Sequence, residues 1–121
     1  MPQQELFFEQ TAGDRRIEVL KTYDQKFARE AFADMGEAAQ AHLWTALKIE
    51  ESCEAADIPG RGDPGREDFL WQELLEASRE EGNISSFFVV TETQAGRSAR
   101  LYVSPDWPSA QAFAGSLIAA A

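Results

Sequence analysis

Few side chains in this sequence could do chemistry. The chain has one histidine, His42, and one cysteine, Cys53, types that can serve as base and nucleophile. On one straight helix over residues 37–56 they are separated by about 16 Å along the axis. Hydrogen-bond reach is about 3 Å, so the two cannot form a dyad. His42, Ala46, Ile49 and Cys53 share a helical stripe, which reads as core packing of an amphipathic ring and a small thiol. Glu50 and Glu54, beside Cys53, are expected to raise its pKa and quiet it as a nucleophile.

Carboxylates are the second resource. Glu50, Glu54 and Asp57 fall at i, i+4, i+7, and Glu73, Glu76 and Glu80 at i, i+3, i+7. On helices each set forms a column of like charge, which destabilises an isolated helix by a few tenths of a kcal/mol per pair. Such a column is either a solvated face or a negative field that attracts a basic protein and speeds its docking. Metal binding fits poorly. The 57–68 loop has Arg and Pro where an EF-hand needs oxygen ligands, and His42 follows Ala39 where a di-metal bundle needs Glu-x-x-His. No metal and no cofactor are expected.

Three short motifs lose their meaning in context. Gly60-Arg61-Gly62-Asp63-Pro64-Gly65 spells G-x-G-x-x-G. A dinucleotide site needs a strand before it and a parallel βαβ unit around it, whereas here a helix precedes and an antiparallel hairpin follows. Pro59-Gly60 and Pro64-Gly65 explain the glycines as type II turns. Arg61-Gly62-Asp63 is a chance adhesion tripeptide in that loop. Asn83-Ile84-Ser85 is a glycosylation sequon only in a secreted chain.

A pocket between sheet and helices could draw on Tyr23, His42, Arg100 and Tyr102, and acid–base work there needs at least two of them to converge. Arg100 and Tyr102 are expected together on one sheet face, beside Phe88 and Val90. Trp44, Trp71 and Trp107 read as core or partly buried.

The elements that must position these groups follow from periodicity. Residues 4–23 read as a β-hairpin turning at Thr11-Ala12-Gly13-Asp14, with Leu20 out of phase on the polar side. Asp24 is the expected N-cap of a helix that Gly36 ends or kinks. A second helix spans residues 37–56 and a third 67–81, stopped by Gly82-Asn83. Residues 85–93 and 97–104 give the strongest hairpin signal, with Phe87 to Val90 apolar on both faces of a central strand. A last helix opens near Pro108. Residues 107–121 carry no charge. A helix apolar or small all round is usually buried, so Phe113, Leu117 and Ile118 are a candidate interface of a symmetric homodimer.

The 121 residues set an expectation of one α+β domain, residues 1–121, in the order β-β-α-α-α-β-β-α. Its predicted form is two-layer: a four-stranded antiparallel sheet from two hairpins, with helices covering one face. The formal charge is −10. Residues 24–82 hold 15 acidic against 6 basic side chains, a net of −9, so the acidity belongs to the helical middle. This balance disfavours direct contact with nucleic acid, whose phosphates repel it. One cysteine allows neither an intrachain disulfide nor a multi-cysteine metal site. No apolar run approaches the ~18 residues of a membrane span, and the opening Met-Pro-Gln-Gln-Glu lacks a signal's basic and apolar regions. A cytoplasmic location without membrane contact is expected. The functional expectation is a non-enzymatic acidic interaction module, of inhibitor, immunity or chaperone type, that binds a basic protein. Its contacts would be Glu50, Glu54, Asp57, Glu73, Glu76 and Glu80. The alternative is a small ligand-binding domain or enzyme using the pocket residues above.

Overall fold

The computed structural model describes residues 4–79 and 84–119. Strands β1 (Gln4–Ala12) and β2 (Arg15–Thr22) form the first hairpin, and β3 (Phe87–Gln94) and β4 (Arg97–Ser104) the second. Every pairing is antiparallel and the sheet order is β1-β2-β3-β4, so β3 is central as expected. Gly13 takes φ +66° in the first turn, a conformation that costs glycine little. In the second turn Ala95 and Gly96 both have positive φ, which matches the right-handed strand twist.

Helix α1 (Gln25–Ala33) starts where the sequence predicts. The Asp24 carboxylate accepts from the backbone N–H of Lys26 at 3.0 Å and of Phe27 at 3.2 Å, satisfying two otherwise open donors. Gly36, extended, separates it from α2 (Glu37–Ala46).

The predicted helix over 37–56 is broken. Lys48 adopts φ 55° and ψ 42°, the left-handed region, between α2 and the short α3 (Ile49–Ser52). A single 3-10 turn at Ala55–Asp57 follows. The break turns Ile49 wholly into the core. It also lets the Trp44 Nε1–H donate to Glu50 Oε1 at 3.0 Å, a pair that a straight helix holds on different sides.

Helix α4 (Arg66–Ser78) ends before the predicted Glu81. Arg79 is already extended and bridges Ser85, while the Ser86 N–H donates to the Ser78 carbonyl at 3.1 Å. The expected stop at Gly82-Asn83 lies outside the described residues, as do Glu80 and Asn83 of the sequon. Helix α5 (Trp107–Ala119) is capped by Asp106, whose Oδ1 accepts from the Ser109 N–H at 3.0 Å. The chain is thus α+β, with four antiparallel strands and five helices among the described residues.

Helices lie against both faces of the sheet, not one. Phe87 and Phe88 are successive strand residues and so point to opposite faces. Phe87 stacks on Trp71 of α4, which in turn meets Phe32 of α1. Phe88 meets Trp107 at the start of α5. Leu20, out of phase in the sequence, is thereby explained. It pairs with Val89, which pairs with Val103, in a row on the α1–α4 side. That side is covered as well, so an apolar residue there is stabilised by burial.

Candidate functional site

Two regions concentrate chemistry. The first lies between α2 and α5. His42 Nδ1 is 3.0 Å from the Tyr102 hydroxyl, which is 2.5 Å from Ser109 Oγ. The His42 ring meets Tyr102 and Phe113 edge-on, and Phe113 stacks on Tyr102 with centroids 4.5 Å apart. These contacts fix the imidazole orientation. Tyr102 is fully buried. That burial pushes its phenol up to about 12, against a lowering pull from the hydroxyls of Ser109 and Ser104; the Asp106 charge adds a further rise. Above the chain lies an open groove of about 720 Å³, walled by Ala38, Ala41, Ala46 and Ala112 and edged by His42, Ser109 and Asp106.

Of the four pocket candidates, His42 and Tyr102 converge and the other two do not. Tyr23 is exposed beside Lys21. Arg100 lies on the opposite face from Tyr102, contrary to expectation. The cause is a register shift between Val90 and Thr91: Val90 pairs with Tyr102 and Thr91 with Arg100, leaving Leu101 as the extra residue. Arg100 therefore meets α1, with Nη2 2.8 Å from Asp34 and Nη1 3.6 Å from Glu30. Sequence reasoning also missed Ser109 and Asp106. Asp106 and Ser109 have the spacing of an N-cap and its N3 partner, a signal that places both at the helix mouth.

The second region is acidic. Cys53 Sγ donates to Glu73 Oε1 at 3.1 Å, tying the segment after α3 to α4. The thiol is pushed up first by that hydrogen bond, then by desolvation and by the charges of Glu73 and Glu76. The quieting of Cys53 thus comes from α4 rather than from its expected neighbours Glu50 and Glu54. The end of α3 at Ser52, after which Cys53 and Glu54 are extended, prevents Glu50, Glu54 and Asp57 from forming one helical column. Glu50 sits on α3, Glu54 after it, and Asp57 in the 3-10 turn, all exposed. Glu76 is exposed and Glu73 half-buried; Glu80 lies outside the described residues.

Basic side chains neutralise other carboxylates. Arg100 meets Asp34 and Glu30, Arg29 approaches Glu67 and Asp68, and Arg15 binds Glu92. Glu50, Glu54, Asp57, Glu73 and Glu76 have no ion pair among the described residues. Arg66 is held elsewhere, 3.8 Å over the Trp44 ring and donating to the Pro59 carbonyl at 2.7 Å.

The candidate dimer residues turn inward. Phe113, Leu117 and Ile118 pack against the chain's own core. All three stay half-buried, and the outward positions Ala112, Gly115, Ser116 and Ala119 are small. Among the described residues no three His, Cys, Asp or Glu side chains converge as a metal site requires, and no helix is long and apolar enough to cross a membrane. No protein-family model matches the chain, and no curated protein or solved structure matches it.

Proposed function

We propose that this chain is a non-enzymatic acidic interaction module whose partner is a protein with a basic surface. The observation that carries the reading is the Cys53–Glu73 contact, because it joins the 50–57 segment to α4. Carboxylates from both segments then act on one approaching partner as a combined field. Among the described residues none of these carboxylates is ion-paired, while Glu30 and Asp34 at α1 are held by Arg100. Electrostatic attraction of this kind raises association rates and weakens steeply with salt.

The test is retention of proteins from a host extract on the immobilised chain at about 50 mM and about 500 mM salt, where screening lengths are about 14 Å and 4 Å. Basic proteins should be retained at low salt and released at high salt. A variant combining Glu50→Gln, Glu54→Gln, Asp57→Asn and Glu76→Gln should retain far less. Retention indifferent to salt, or unchanged in the variant, refutes the role.

A second reading is favoured by the α2–α5 groove, which His42 edges with its ring held from behind by the buried Tyr102 hydroxyl. Its volume falls within the range of small-molecule sites, about 300–1,000 Å³. On this reading the chain binds a small, largely apolar molecule against His42. Saturable shifts of the His42 ring resonances on titration with an apolar fragment such as benzamide support it. Unmoved resonances count against it.

A further inference from the structure

We propose that the outer edge of β1 accepts an extended basic segment of another protein as a fifth strand of the sheet. This surface is separate from the acidic helical segments and does not depend on the reading above. β1 ends the sheet order, and among the described residues only β2 pairs with it. Its outer side therefore presents backbone donors and acceptors that an added strand can use. From Phe8 to Ala12 the register is regular, so that stretch is a straight template. Leu6 is 51% exposed, which gives an incoming strand one apolar anchor next to that template, while Phe7 is engaged with Phe88 and Trp107.

Charge selects the occupant. Glu5 pairs with Lys21 across the hairpin, but Glu9 pairs with Glu18. Glu18 has Arg16 at 3.3 Å, whereas Glu9 has no ion pair among the described residues. Like charges directly opposite destabilise a strand pair. A Lys or Arg across from Glu9 on the outer side relieves this one, and β1 itself has no basic residue. A second copy of the chain fits worse. It brings its own Glu5 and Glu9 and a further charge of −10.

The test titrates an end-blocked peptide of alternating lysine and valine, about eight residues long, into isotope-labelled full chain. Saturable amide shifts and slowed hydrogen exchange should centre on β1, and the matching glutamate–valine peptide should give neither. Glu9→Lys should weaken the lysine peptide about tenfold and admit the glutamate peptide. This variant also removes the Glu9–Glu18 repulsion, so it should fold at least as well as the parent. The proposal is overturned by shifts centred on α3 and α4, by β1 shifts that follow protein concentration without peptide, by no saturable shift, or by an affinity unchanged in Glu9→Lys.

Discussion

His42 Nδ1 and the Tyr102 hydroxyl lie 3.0 Å apart although 60 positions separate them in sequence. Counting donors gives this contact a direction. If the Tyr102 O–H donates to a neutral His42, the Ser109 O–H can donate to Tyr102 and both hydroxyl protons are used. If Tyr102 donates to Ser109 instead, no hydrogen bond among the described residues uses the Ser109 proton, which turns toward the open groove. The satisfied arrangement places the imidazole proton on Nε2.

Tyr102→Phe removes the middle of this chain. It should cost about 1–2 kcal/mol in urea unfolding, because His42 Nδ1 and the Ser109 hydroxyl lose their common partner. The Nε2–H tautomer preference, read from imidazole nitrogen shifts, should weaken with it. An unchanged tautomer would show that the hydroxyl does not set the proton.

Stability should fall in strong alkali. The Tyr102 phenol rises from an ordinary 10 to about 12 in the fold. The neutral form is therefore favoured by folding, and the associated stability is complete below pH 10. It is lost as pH rises from 10 through about 12, by roughly 2 kcal/mol. Denaturant unfolding of wild type and Tyr102→Phe across this interval isolates the effect, since the variant has no phenol at this position. Parallel losses in both proteins would contradict the assignment.

Cys53 should react slowly with a disulfide reagent near pH 8, because its raised pKa leaves little thiolate. Glu73→Gln removes the charge that accepts the thiol hydrogen. The reaction should then accelerate several-fold, at a rate followed by absorbance. No acceleration would mean that the thiol is quiet for want of access rather than for want of ionisation.

Lys48→Gly should stabilise the protein by about 1 kcal/mol, because a residue with a Cβ is strained at φ 55° and glycine is not. The thermal midpoint should rise by about 4 °C. Lys48→Ala serves as the control and should bring no such gain. A fall in the midpoint for the glycine variant would show that the left-handed turn is relieved by other means.

The two hairpins, the central place of β3, the Asp24 cap and the net acidity of the helical middle were legible in the sequence. Each depends on local chemistry: alternation, turn residues, a carboxylate next to open N–H groups, and composition. The Lys48 break was not legible, because the apolar stripe continues through it from Leu43 to Ile49. Only the gain from sinking Ile49 into a core made by distant strands outweighs a left-handed lysine. The bulge that parts Arg100 from Tyr102 was equally hidden, since Leu101 continues the alternation without a mark.

Sequence by itself therefore determined the two hairpins, the helices that begin near Gln25 and Trp107, and where the carboxylates are concentrated along the chain. Tertiary structure alone decided that helices cover both sheet faces, that His42 meets Tyr102 and Ser109, and that Cys53 meets Glu73. The reason is range. Backbone preference and hydrophobic period act over a few residues, whereas these contacts depend on packing between elements tens of residues apart. There a shift of one strand position moves a side chain to the other face of the sheet.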